Sequence, residues 1–189
     1  MDKIKIAVAT GNAHKLQEIA QILTGFTLVS MRELGFVGDV EENGSTFREN
    51  AFIKADTICK KFSMPALADD SGLCVDALNG APGVYSARYS GSGDAENRRL
   101  LLKNLQGEHN RTARFKSVVC LRFPDGRTVY GEGCCEGRIL GGEVGDNGFG
   151  YDPIFFSDDL QKCFGVASAQ EKNGVSHRFR ALMQLKEKL

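Results

Sequence analysis

A chain of 189 residues, 42% hydrophobic and 25% charged, has the composition of a globular protein with room for a sizeable core. Its 24 basic and 24 acidic residues cancel to zero formal charge, which excludes a global basic field for duplex nucleic acid; an anionic ligand must be held by local clusters. No apolar run approaches the length that spans a bilayer, so no membrane partner is expected.

In chain order, Met1-Asp2-Lys3-Ile4-Lys5 leads straight into a strand-like run rather than a signal peptide. Ile4, Ile6 and Val8 alternate with Lys5, Ala7 and Ala9, the period of a strand. After Thr10-Gly11-Asn12 the period lengthens, and Leu16, Ile19, Ala20 and Leu23 fall on one face of a helix that Gly25 stops. Thr46 and Glu49 are spaced as a capping box and predict a second helix, its apolar face carrying Phe47, Ala51, Ala55 and Ile58. Pro65-Ala66-Leu67-Ala68 predicts a buried strand that gives way to a turn at Asp69-Asp70-Ser71-Gly72, followed by a second apolar run, Leu73-Cys74-Val75.

A loop at Asn79-Gly80-Ala81-Pro82-Gly83 precedes a third helix from about Asp94, with Leu101 and Leu105 on one face. Residues 114–123 read as a strand, and Pro124-Asp125-Gly126 reverses it into Thr128-Val129-Tyr130. Glycines crowd residues 141–150, and a final helix is predicted with Ser176 as N-cap, burying Phe179, Leu182 and Leu185. Cys59, Cys74, Cys120, Cys134, Cys135 and Cys163 have neither CxxC nor metal-ligand spacing and read as reduced thiols of a soluble, cytoplasmic protein. Cys134 and Cys135 should face opposite sides of a strand. The alternation of elements predicts a single α/β domain over residues 1–189, with a mixed sheet flanked by helices.

Several groups of residues invite chemistry. Adjacent carboxylates at Asp69 and Asp70 repel one another in a partly buried site unless a cation offsets them, which suggests hydrolysis assisted by a divalent metal. Glu41-Glu42-Asn43-Gly44 is either a solvated run favourable to the next helix dipole or a source of a second metal carboxylate. Mg²⁺ takes one or two carboxylates with waters and phosphates, so Glu42 with Asp69 or Asp70 would serve, and Lys54 could face the same cleft. Thr10-Gly11-Asn12-Ala13-His14-Lys15 is either a plain capped turn or a phosphate-holding helix start; it is not a Walker A sequence. Phe149, between Gly148 and Gly150, offers a stacking surface beside Tyr151 and Asp152, or else anchors a structural turn. Lys172, His177 and Arg178 put positive charge at the start of the last helix, against its dipole, so either an anion is the missing partner or the turn is simply solvated.

As a set, TGNAHK, EENGSTFRENA, ALADDSGLCVDALNGAPGVYSARYSG, GFGYDPIFF and SHRFRAL resemble, in order and over nearly the whole chain, the inosine triphosphate pyrophosphatase family. The resemblance implies a mixed, twisted α/β sheet in two lobes with a central active-site cleft. It also implies a homodimer and Mg²⁺-dependent cleavage of ITP, dITP and XTP to the monophosphate and pyrophosphate. By position, Thr10, Gly11, Asn12, Ala13, His14 and Lys15 are implied as the triphosphate loop, and Glu42 and Asp70 as metal ligands. Asp70 is the implied general base with Asp69 beside it, Ser71 contacts substrate, and Phe149, Gly150, Tyr151, Asp152, Lys172, His177 and Arg178 complete the substrate contacts; Lys54, by its place on the second helix rather than by the resemblance, is a further candidate substrate contact. His14 departs from the TGNxGK form, where glycine is usual. Two rivals are a pyrophosphatase of modified pyrimidine or methylated nucleotides, disfavoured by FGYDP and SHR, and a nucleotide sensor, disfavoured because binding alone needs no base.

Overall fold

A computed structural model describes residues 4–189; Met1, Asp2 and Lys3 of the expected strand-like start lie outside the described residues. The strands are β1 (Lys5–Val8), β2 (Thr27–Ser30), β3 (Ala66–Val75), β4 (Thr112–Arg122), β5 (Thr128–Ile139), β6 (Phe155–Ser157) and β7 (Lys162–Cys163). The helices are α1 (Ala13–Ile22), α2 (Phe47–Phe62), α3 (Asp94–Asn104), α4 (Ala169–Val175) and α5 (His177–Lys186). The strands hydrogen-bond in the order β2-β1-β3-β4-β5-β6-β7. β1 is parallel to β2 and β3, whereas β6 is antiparallel to β5 and β7, so the sheet is mixed. Two compact units divide the chain: residues 1–70, 117–133 and 178–189 form the first, residues 71–116 and 134–177 the second. β3, β4 and β5 each pass from one unit to the other.

Side-chain alternation builds the first unit. Successive residues of a strand face opposite sides of the sheet. Ile6, Val8, Leu67, Val119 and Leu121 therefore pack with Ile19 of α1 and Ala181, Leu182 and Leu185 of α5. Ala7, Ala66, Ala68, Val118 and Cys120, facing the other way, pack with Ala51, Ala55, Ile58 and Cys59 of α2. Small alanines on that face let α2 sit close to the strands. The second unit has its own core of Leu73, Val75, Leu101, Leu105, Phe115, Ile154, Phe155 and Phe164. Its centre is aromatic: Phe155 lies 4.6 Å from Phe115 and 5.2 Å from Phe164 between ring centroids, within the range of favourable ring pairs.

Several expectations need correcting. The acid pair does not end a strand: β3 runs unbroken from Ala66 to Val75, joining both apolar runs through Asp69, Asp70, Ser71 and Gly72. Asp69 is paired on one face with Lys15, Arg178 and Ser117, and Asp70 on the other with Lys54, so neither acid forces the chain to turn outward. Thr46 caps α2, accepting from the Glu49 N–H at 3.1 Å, and the Glu49 carboxylate also accepts from the N–H and hydroxyl of Ser45, one residue before the cap. Ala20 is exposed, and the half-buried Ile22 joins the α1 face instead. β2, β6 and β7 are too short for any period to show, and α4 is held by a capping box between Ser168 and Glu171 more than by an apolar face. Cys135 is buried while Cys134 is partly exposed, in keeping with their opposite facing on β5.

Gly131 in β5 sits where a Cβ would meet the Ala181 carbonyl of α5 at 2.0 Å. Gly131→Ala should therefore lower stability by about 1–3 kcal/mol through overpacking, read as a lower midpoint in urea unfolding.

Candidate active site

The alternation of β3 separates the two acids. Asp69 shares the parity of Leu67 and faces α1 and α5; Asp70 shares that of Ala68 and faces α2. Asp69 is almost wholly buried at 1% exposure. Its Oδ2 accepts from Lys15 Nζ at 2.9 Å and Arg178 Nη2 at 3.0 Å, and its Oδ1 from Ser117 Oγ at 2.5 Å. Arg178 also pairs with Glu18 of α1. Burial alone would raise the pKa of Asp69, but the charges of Arg178 and Lys15 and the Ser117 hydroxyl hold it well below the usual carboxylate range. Burial acts against the charge of Arg178 too, yet Asp69 and Glu18 keep its pKa above the ordinary value.

Asp70 has a different environment. Lys54 of α2 donates to Glu42 Oε1 at 2.5 Å, to the Asp69 carbonyl at 2.8 Å and to Asp70 Oδ1 at 3.3 Å. The second Asp70 oxygen, Oδ2, is buried without a hydrogen-bond partner. Burial pushes the Asp70 carboxyl upward; Lys54 and Lys15 oppose this, while Glu42 and Asp69 add to it, and the net shift is up. Lys54 shows the converse: burial pulls it down, but Asp70 and Glu42 outweigh that and raise it. The loop carrying Glu42 is tied to α2 by the Gly44 N–H, which donates to Asn50 Oδ1 at 2.8 Å.

The residues before α1 form a capped turn. Asn12 Oδ1 accepts from the Lys15 N–H at 3.1 Å, and Thr10 Oγ1 from the Asn12 N–H at 3.1 Å. Ala13 and His14 are exposed and Gly11 half-buried. Burial, with repulsion from Lys54 and Arg178, draws the Lys15 ammonium below its ordinary pKa in spite of Asp69. Lys15, Lys54 and Arg178 thus stand among the carboxylates of Asp69, Asp70, Glu42 and Glu18, each cation in an ion pair.

In the second unit, Asp152 Oδ2 accepts from the Phe149 N–H at 2.9 Å and from Lys172 Nζ at 2.6 Å. Both partners of that ion pair are buried, and the ammonium stands 4.6 Å from the centroid of the half-buried Phe149 ring. The Gly150 N–H donates to Asp94 Oδ2, and buried Tyr151 donates from its hydroxyl to the Ser86 carbonyl at 2.9 Å. His177 is buried and stacked on Phe115 at 4.8 Å. Ser71 is half-buried. Lys172 corrects the expectation of one basic helix start: it lies on α4, a separate helix, whereas His177 and Arg178 open α5. Arg178 belongs with Asp69 and Glu18 in the first unit.

Glu18, Ser117 and Asn50 were not legible as site residues. Glu18 lies three residues after Lys15, hence on its helix face, and Ser117 is a polar residue at the parity of Val119 and Leu121; either could have prompted the reading. Among the described residues no group of three or more His, Cys, Asp and Glu is arranged to hold a metal ion by itself. Thiol nucleophiles are disfavoured, since burial pushes the Cys120 and Cys134 thiols up to about 12.

Because the folded state raises the Asp70 pKa, its ionisation costs stability once pH passes the unfolded value and continues to do so at neutrality; below the unfolded pKa the cost vanishes. Asp70→Asn should therefore melt higher than the native protein in chelator at pH 7, with the gain fading below about pH 4. Thermal melts across pH check this.

The profile of the Ham1 family matches residues 6–188. The dITP/XTP pyrophosphatase of Desulfotalea psychrophila is 46% identical over 185 residues, covering 96% of this chain and 83% of that protein. The dITP/XTP pyrophosphatase of Bacillus anthracis is 44% identical over 193 residues, covering 98% and 96%. Among solved structures, a HAM1 protein from Coxiella burnetii is 40% identical, covers 98% of both chains and superposes with a TM-score of 0.89. Profile, sequence relatives and fold agree, and the chain belongs to the Ham1 family.

Proposed function

We propose that this chain hydrolyses the deaminated purine nucleoside triphosphates ITP, dITP and XTP to the monophosphate and pyrophosphate, with Mg²⁺ as its metal, and so removes them from the nucleotide pool. The similarity to dITP/XTP pyrophosphatases supports the reaction class. The observation that carries it is the Asp70 carboxylate, with one oxygen on Lys54, shared with Glu42, and the other buried without a partner.

That donor set fits Mg²⁺. The ion prefers hard carboxylate oxygens, few of them from protein, with water and phosphate filling the rest. Here an ammonium stands between Glu42 and Asp70, and an Asp70 oxygen is left over. Bound by Glu42 and Asp70, Mg²⁺ would supply charge neutralisation on the phosphate oxygens and on the departing pyrophosphate.

The protein's own groups do the remainder. Lys15, Lys54 and the N–H groups at the start of α1, reached from Thr10, Gly11, Asn12, Ala13 and His14, hold the triphosphate, with Ser71. Asp70, whose second oxygen is buried without a hydrogen-bond partner, takes the proton of the water that attacks the α-phosphorus. Asp69, kept ionised by Arg178 and Lys15, is a poor proton acceptor and serves to hold those cations. Phe149, Gly150, Tyr151, Asp152 and Lys172 take the base, and His177 and Arg178 supply donors to its 6-oxo group. The 6-amino group of adenine would bring donor against donor, and an unpaired buried donor is costly. In this reading residues 1–189 work as one catalytic domain in a cytoplasmic homodimer, without nucleic-acid or membrane partners. Among the described residues no helix is long and apolar enough to cross a membrane.

The test is pyrophosphate release by purified protein with Mg²⁺ and ITP, dITP, XTP, dUTP or ATP. Turnover of ITP, dITP and XTP well above ATP is expected, lost in chelator and reduced about 10³-fold or more in kcat by Asp70→Asn. Phe149→Ala should chiefly raise KM. ITP binding without turnover would make the protein a nucleotide sensor, and preference for dUTP would make it a pyrimidine enzyme; either result overturns the reading.

A further inference from the structure

Gly150 has no side chain, yet one helix takes both of its backbone polar groups. Its N–H donates to Asp94 Oδ2 at 2.9 Å, and its carbonyl accepts from Arg98 Nη1 at 2.9 Å. Asp94 and Arg98 stand one turn apart on α3 and so share a face. Arg98 also clasps Glu143, through Nε at 2.8 Å and Nη2 at 3.2 Å. A single side chain therefore fastens the glycine-rich stretch 141–150 near both of its ends.

Between this clasp and Asp152 sits Phe149. Its N–H is fixed by Asp152, and the glycines on either side have positive φ, +76° at Gly148 and +59° at Gly150. Glycines in that region leave the backbone many alternatives, so a ring between them keeps its plane only if the flanking peptides are held. Asp152 holds one flank, and α3 holds the other. A role confined to stability would not require both polar groups of the residue beside the ring to be gripped from one helix face. Neither Asp94 nor Arg98 belongs to the substrate contacts assigned above.

We propose that Asp94 and Arg98 are positioning residues for base recognition: by clamping Gly150 they preset the Phe149 ring for a purine face. The inference rests on the reading of Phe149 as the stacking surface. Without the clamp the ring must be ordered by the substrate, and that cost falls on binding rather than on the chemical step.

Asp94→Ala and Arg98→Met remove each contact, while Asp94→Asn keeps an acceptor for the Gly150 N–H. Hydrogen exchange reads the clamp without substrate: the Gly150 amide should exchange about tenfold faster in Asp94→Ala and return towards the native rate in Asp94→Asn. In steady-state kinetics, Asp94→Ala and Arg98→Met should raise KM for ITP about three- to tenfold with kcat changed far less, and Asp94→Asn should recover most of the loss. In a Phe149→Ala background the KM increase should disappear, because clamp and ring act as one unit. Unchanged KM in the single variants, or the same increase in the Phe149→Ala background, would overturn the inference while native turnover of ITP stands. A native protein that turns over neither ITP nor XTP would overturn the functional reading, and this inference with it.

Discussion

Asp69 gives up its solvent shell to accept hydrogen bonds from Lys15, Arg178 and Ser117, and the first unit is organised around that exchange. A buried carboxylate without partners would be strongly destabilising. The partners come from α1, β4 and α5, segments far apart in the chain, so satisfying one side chain fixes three elements against β3. Glu18 extends the same logic by balancing Arg178. Once Asp69 is neutralised, its neighbour on the opposite sheet face meets a different balance, and Asp70 is left with a raised pKa and an unpartnered oxygen. The chemical asymmetry of the pair thus follows from strand geometry: adjacent in sequence, the two acids occupy different surroundings.

The second unit repeats the device on a smaller scale. Lys172 and Asp152 form a buried ion pair, and pairs of this kind gain little net stability but penalise any arrangement that separates them. Asp152 spends one oxygen on both Lys172 and the Phe149 N–H. The position of an aromatic ring, a cation and a turn is thereby bound to a single carboxylate. Beneath it the Phe115–Phe155–Phe164 cluster supplies the apolar burial that can offset such polar burial.

Elements with a clear period were legible in the sequence: β1, α1, α2, α3, β4 and α5 follow from spacing and caps. The mixed sheet followed from their alternation. What escaped was short or polar. β6 and β7 hold three and two residues, too few for a period, and α4 depends on Ser168 and Glu171 rather than on apolar spacing. The turn expected at Asp69-Asp70 failed for an instructive reason. Consecutive acids read as an exit from the core, because a sequence does not reveal that Lys15, Arg178 and Ser117 will converge on one of them from distant segments. Site residues inside motifs could be named, whereas their supports, Glu18, Ser117, Asn50, Asp94 and Arg98, lie on ordinary-looking helices and strands and become visible only through their partners.

The division of the chain also bears on how the protein is made. The first unit takes its segments from either side of the second, and α5 follows the whole of residues 134–177. During synthesis, Asp69 and Lys15 emerge early, but Arg178 is added only after the entire second unit has been translated. Until then the acid at the heart of the first unit lacks its guanidinium, and Ala181, Leu182 and Leu185 are missing from the sheet face they will cover. The first unit is the first to begin and the last to close, so a ribosome stalled before α5 would release a chain with an unsealed apolar face, a form open to aggregation or proteolysis.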